Sequence, residues 1–144
     1  SNFRRWDGHI RAYVDDCFLG KEGPHGKNYN TRWIASLVAE CHRIMVRGGI
    51  FLYPGDRRPA YATGRLRLAY ECNPIAIMVE QARGSTSTVQ ERIIEIEPTG
   101  IHQRAPQIFG SLHEVHLIDH YYKELHPVHE RTQLFGDRGL FKTG

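Results

Sequence analysis

The sequence is short of cysteine, of long apolar runs and of net charge, and each shortage removes a class of protein. Its three cysteines, Cys17, Cys41 and Cys72, are odd in number, far apart and without a Cys-x-x-Cys pair. That excludes a disulfide framework and a thiolate zinc site of ordinary spacing. Three small buried thiols in a reduced, cytoplasmic compartment are the expectation. No apolar run approaches the roughly 18 residues that span a bilayer; Ile50-Phe51-Leu52-Tyr53 stops at Pro54. Ser1-Asn2-Phe3-Arg4-Arg5 opens into mixed polar sequence rather than a signal-peptide apolar stretch. The phosphate loops G-x-x-x-x-G-K-[ST] and G-x-G-x-x-G are missing, as is the G-x-S-x-G elbow of serine hydrolases. A net charge of +3 suits an anionic small ligand as well as nucleic acid. Without an interleaved aromatic-basic motif, the nucleic-acid reading is poorly supported.

What is present describes a folded α/β chain. With 144 residues, 40% hydrophobic and 24% charged, it has the make-up of one globular domain or half of a larger protein. Apolar residues at helical spacing predict a helix over about 6–19, broken by the Gly-Pro-rich stretch 20–26. Ile34, Leu37, Val38, Cys41, Ile44 and Met45 predict a second, capped by Asn30 or Thr31 and ended by Gly48-Gly49. A third helix is expected from an Asn73 cap, with Pro74 in its first turn, to about Arg83. Ser111-Leu112-His113-Glu114 reads as a capping box opening a fourth, to about Leu125. Strands are expected at Ile50–Tyr53, from Leu66 to Leu68, from Ile93 to Ile96, and at Ile108-Phe109. The tail beyond His126 has few apolar residues, so a domain of residues 1–126 and a loosely held tail, 127–144, are the expected division.

Two clusters invite chemistry. His113, His116 and His120 share one face of the last helix, opposite Leu112, Val115, Ile118, Tyr122 and Leu125. The apolar side must face the core, so a solvated histidine face is preferred to a metal site. The second cluster is cationic and surrounds one strand-loop-strand unit. Arg47 precedes it, Arg57 and Arg58 lie in its loop, and Arg65 and Arg67 open the second strand. Tyr53 and Tyr70 flank it, and Glu71 follows. Guanidinium forks bind phosphate bidentately and tyrosine hydroxyls add neutral donors. Glu71 would repel a phosphate unless a divalent cation sat between them. A solvated charged loop remains the competing account.

Several motifs in this region, in order, resemble the class 1 fructose-1,6-bisphosphatases. Gly48-Gly49-Ile50-Phe51-Leu52-Tyr53-Pro54 looks like that family's strand and turn. The stretch Gly64-Arg65-Leu66-Arg67-Leu68-Ala69-Tyr70-Glu71-Cys72-Asn73-Pro74 resembles its G-K-L-R-L-x-Y-E-x-N-P motif. His102-Gln103-Arg104-Ala105-Pro106 and Gly110-Ser111 follow at the family's spacing. The run from Arg32 to Glu40 and the opening Ser1-Asn2-Phe3-Arg4-Arg5-Trp6 resemble the bacterial branch. The likeness extends to about Leu125.

The resemblance implies a C-terminal α/β half of a layered sandwich, a mixed sheet flanked by helices, in an enzyme that assembles as a homotetramer. It implies magnesium-dependent hydrolysis of fructose 1,6-bisphosphate to fructose 6-phosphate and phosphate, in sugar metabolism of the gluconeogenic or Calvin type. By the same likeness Glu71 is a metal ligand, and Asn2, Tyr53 and Arg65 hold the sugar and its 6-phosphate. Arg32 matches an arginine that enters a neighbouring subunit's site, and Arg67 belongs to the same basic strand. Arg65 stands where the family usually has lysine. The family's D-P-x-D-G-S-S motif and its other metal carboxylates belong to an N-terminal half, and Asp7-Gly8 does not match them. The likeness starts at residue 1 without an initiator methionine, so a portion of a longer chain, inactive by itself, is expected. Two alternatives stay open: a sedoheptulose-1,7-bisphosphatase, and a non-catalytic sugar-phosphate-binding or assembly domain.

Overall fold

The computed structural model describes residues 2–124; Leu125 and the tail 127–144 lie outside the described residues. The described residues include four α-helices: α1 (Gly8–Phe18), α2 (Leu37–Arg47), α3 (Asn73–Gln81) and α4 (Leu112–Glu124). Five short strands are interleaved with them: β1 (Ile50–Tyr53), β2 (Leu66–Arg67), β3 (Gly84–Ser87), β4 (Arg104–Ala105) and β5 (Gln107–Ser111). β5 is central in a three-stranded sheet of order β1-β5-β3, and β2 pairs with β4. The α/β class holds. Every strand pairing among the described residues is antiparallel, so the mixture of strand directions expected for the sheet is not found among them.

Alternation along the strands explains the layering. Ile50, Leu52 and Ile108 pack with Ile10, Tyr13, Val115 and Ile118 of α1 and α4 on one face. Phe51 and Phe109, opposite each other in the register, stack at 4.7 Å. They pack with Cys41, Ile44, Ile75 and Val79 of α2 and α3 on the other face. A third core lies under β2, where Leu66, Leu68, Cys72, Ala76, Ile93, Ile96 and Ala105 meet. All three cysteines are free, Cys41 and Cys72 buried and Cys17 half-buried. Burial pushes the Cys72 thiol up to about 12 and Cys17 up to about 11, which suits their role as small apolar groups.

Several elements depart from expectation. α2 begins at Leu37 rather than near Ile34, because the Ser36 hydroxyl accepts the Ala39 N–H and caps it there. Asn73 does not cap α3: a π-helical turn over Leu68–Cys72 runs directly into it, and Asn73 is already helical. Ile93–Glu95 is a 3-10 turn rather than a strand. Ile93 and Ile96, three apart, share the third core while Ile94 is exposed, a helical rather than an alternating pattern. β3 was not foreseen, since Gly-Ser-Thr-Ser has no apolar residue. Its buried hydroxyls are satisfied instead, Thr86 donating to Glu80 at 2.8 Å and Ser87 to Asp119 at 2.8 Å. The capping box at Ser111 is also replaced. Ser111 accepts the Gly49 N–H at 3.0 Å, and Glu114 turns into the core. His113, His116 and His120 are exposed as expected, but Leu112 is exposed too.

Candidate functional site

The basic unit is built on close backbone contact. Gly64 (φ +84°) lies so near the 102–106 motif that a Cβ there would meet the Ala105 carbonyl carbon at 2.2 Å. Only glycine allows the two motifs to touch. β2 follows at once, with Leu66 paired to Ala105 and Arg67 to Arg104. The Leu68 N–H then donates to the Gln103 carbonyl at 2.8 Å, and Gln107 donates to the Cys72 carbonyl at 3.1 Å. These bonds hold the π-helical turn, and that turn carries Glu71.

The arginines divide into satisfied and available ones. Arg58 forms an ion pair with Asp56, and its backbone N–H donates to the same carboxylate at 2.9 Å. These hydrogen bonds draw the Asp56 carboxyl down to about 2. Arg58 also reaches Asn2 Oδ1 at 3.4 Å, and the Arg57 N–H donates to the Arg5 carbonyl at 3.0 Å. Asn2 and the first turn, Phe3–Arg5, are thereby tied to the loop. Tyr61 is the platform of the cluster, with the Arg58 guanidinium 4.5 Å and the Arg65 guanidinium 3.9 Å from its ring centroid. Among the described residues, no carboxylate forms an ion pair with Arg65 or Arg67. Arg67 donates to the Arg65 carbonyl at 3.0 Å. Glu71 accepts the Arg67 backbone N–H at 2.7 Å, so it caps the turn rather than neutralising the Arg67 side chain.

Asn2, Arg58, Tyr61, Arg65, Arg67 and Glu71 therefore form one chain of contacts. Tyr53 ends β1 opposite Gln107, and with Leu66 and Arg32 it lines a groove of about 510 Å³. Arg32 itself is exposed, in the connection between α1 and α2. Arg47 closes α2 at the surface, and Tyr70 turns away to His102 at 3.1 Å. Tyr61 and the Asp56–Arg58 pair were missed by sequence reasoning. Spacing does not reveal which of five arginines finds a carboxylate.

The metal question has a limited answer. No three His, Cys, Asp or Glu side chains among the described residues are grouped to hold an ion. Glu71 fits as one hard oxygen ligand, half-exposed with one carboxylate oxygen engaged by backbone.

A family model described as fructose-1-6-bisphosphatase, C-terminal domain, matches residues 1–123. The class 1 fructose-1,6-bisphosphatase of Sinorhizobium medicae is 55% identical over 142 residues, which cover 99% of this chain and 41% of the relative. The class 1 enzyme of Methylobacterium radiotolerans is 52% identical over 143 residues, with the same two coverages. The chain thus spans about two fifths of the length of the curated relatives it matches. In structure it is similar to Leishmania major fructose-1,6-bisphosphatase in holo form, with a TM-score of 0.76 and 37% identity. That match covers 84% of this chain and 36% of the other.

Proposed function

The chain belongs to the fructose-1,6-bisphosphatase C-terminal domain family, and from that premise we propose that it supplies the sugar-phosphate site and one metal ligand of a magnesium-dependent phosphatase. The reaction is hydrolysis of fructose 1,6-bisphosphate to fructose 6-phosphate and inorganic phosphate. The observation that carries this reading is the pair of half-buried guanidiniums, Arg65 and Arg67, with no carboxylate in ion-pair contact among the described residues. Guanidiniums that no carboxylate contacts are free to take an external anion.

In this reading Arg65 and Tyr53 bind the distal phosphate and sugar, Asn2 adds an amide, and Arg67 keeps the strip positive. Tyr61 holds the Arg65 plane by stacking, which lowers the entropy lost when a phosphate is gripped. Arg32 extends from its exposed loop toward a sugar phosphate of a neighbouring subunit, in a homotetramer. Glu71 contributes one carboxylate to magnesium, and its bond to the Arg67 N–H fixes the direction from which it does so. The bound ion supplies Lewis-acid polarisation of the phosphoryl group and a more acidic water. The other metal ligands come from outside the described residues. A cytoplasmic location agrees with three free thiols, and no helix of the described residues is long and apolar enough to cross a membrane.

The test is phosphate release by the full-length protein from fructose 1,6-bisphosphate, with and without magnesium. Parallel assays use sedoheptulose 1,7-bisphosphate. Magnesium-dependent release from the fructose substrate supports the reading. Binding of fructose 6-phosphate without any hydrolysis would favour the non-catalytic alternative instead. Preference for the seven-carbon substrate would reassign the specificity.

A further inference from the structure

The connection from Leu19 to Ser36 is long for a compact domain and has only a 3-10 turn, Gly20–Glu22, of its own. Loops beyond about 12–15 residues without secondary structure are commonly functional. One carboxylate gathers this one. Glu114, 7% exposed at its side chain, accepts the Tyr13 hydroxyl at 2.9 Å and the Tyr29 hydroxyl at 3.2 Å. Lys27 completes the set as its ion-pair partner and lies 5.0 Å from the Tyr29 ring centroid. Burial would raise the Glu114 carboxyl, but the Lys27 and Tyr13 hydrogen bonds outweigh it and the net shift is downward.

A second contact fastens the same segment. The Tyr121 hydroxyl donates to Asp16 at 2.5 Å, so it accepts from His25 Nε2 at 2.9 Å. The His25 ring packs between Tyr13 and Tyr29, with centroids 5.4 and 5.6 Å away. Arg32 lies three residues beyond Tyr29, so its backbone stays within about 11 Å of the Tyr29 backbone. Tyr13 and Tyr29 line the same groove as Arg32 and Tyr53.

We propose that Glu114 is a positioning residue for sugar-phosphate binding: by drawing Tyr13, Lys27 and Tyr29 onto one carboxylate, it sets where Arg32 stands. The proposal rests on the reading of Arg32 as a sugar-phosphate contact. Glu114 touches no substrate; it acts through the connection.

The experiment is a double-mutant cycle in the full-length protein with fructose 1,6-bisphosphate, comparing Glu114→Gln, Arg32→Ala and the combined variant. Residues in one network couple, and an effect of about 3- to 30-fold is the expected size. Glu114→Gln should raise KM by that factor with kcat little changed, and should have no further effect once Arg32 is alanine. Lys27→Arg should keep the wild-type KM, whereas Lys27→Met should follow Glu114→Gln. Trypsin should cut after Lys27 or Arg32 faster in Glu114→Gln, by more than its fall in global Tm accounts for. If Glu114→Gln does not fold, Tyr29→Phe removes one hydroxyl and takes its place in the cycle. A raised KM in Arg32→Ala with no change, or a purely additive change, from Glu114→Gln would overturn the positioning role. An unchanged KM in Arg32→Ala would instead overturn the reading of Arg32, and the positioning role with it.

Discussion

Arg65 and Arg67 stand half-buried in and beside β2 with no carboxylate in ion-pair contact among the described residues, whereas Glu114, on α4, has an ammonium and two hydroxyls on a single carboxylate. Both clusters are partly removed from water and both are polar. One is left with positive charge that no carboxylate contacts; the other is matched internally. A buried charge that is fully paired organises the chain around it, while a half-exposed one without a carboxylate in contact can take an external anion. The strip is therefore read as a binding surface and the Glu114 cluster as architecture that acts on binding only through the connection it holds. Four measurements bear on that contrast.

The largest effect is expected at Glu71, the proposed metal ligand at the end of the strip. Glu71→Gln keeps the size and an oxygen to accept the Arg67 N–H but removes the charge. In the full-length protein kcat should fall by about two orders of magnitude or more, as loss of several kcal/mol of charge stabilisation implies. The magnesium requirement should rise and Tm should hold. Unchanged magnesium dependence would make Glu71 a cap only.

Arg65 comes next. Arg65→Ala removes a charge-assisted hydrogen bond worth about 1.5–3 kcal/mol, a loss of about 10- to 150-fold in kcat/KM. Part of it should appear in KM, because the distal phosphate does not react. Arg65→Lys should keep most activity. Since Asp56 pairs with Arg58 rather than with Arg65, neither variant should lower Tm appreciably. Fructose 6-phosphate affinity measured by calorimetry checks this, and equal affinities in all three proteins would remove Arg65 from the site.

The reverse pattern is expected at Tyr13, a fully buried residue whose hydroxyl serves Glu114. Tyr13→Phe should lower stability by about 0.5–1.5 kcal/mol, the net value of one such bond. Fructose 6-phosphate affinity should change far less than in Arg65→Ala. A loss of affinity as large as that of Arg65→Ala would erase the distinction between the two clusters.

The smallest effect concerns acid. The folded Asp56 carboxyl titrates at about 2, below its ordinary 3.8. The stability it contributes is fully present above about pH 4 and is lost as pH falls through 2. Asp56→Asn should therefore lower Tm slightly near neutrality and flatten the acid limb of a Tm–pH curve between pH 4 and 2, so that the two curves converge in acid. An identical limb in both proteins would mean that the Arg58 pair adds no pH-linked stability.

Much of the site was legible because the motif is local. Arg65, Arg67 and Glu71 lie within one short stretch of chain, and the glycine before them and the proline after them mark its ends. The helices were legible for the same reason, since their period is written in neighbouring residues, and α1, α2, α3 and α4 all appear near their expected places. What spacing could not show was pairing across long stretches of chain. β3 has no apolar signature because its buried positions are hydroxyls satisfied by Glu80 and Asp119, and Ile93–Glu95 mimics a strand until Ile93 and Ile96 are seen to share one core.

Residue types and their order thus determined that this is an α/β chain with a basic strip ending in a carboxylate. The tertiary structure decided which charges cancel. Asp56 takes Arg58 and leaves Arg65 over Tyr61. Glu114, which in sequence completes a capping box, faces Tyr13 across 101 residues instead. Ion pairs and buried hydrogen bonds depend on distance and desolvation, and the set on Glu114 does not exist until elements far apart in the chain are packed together.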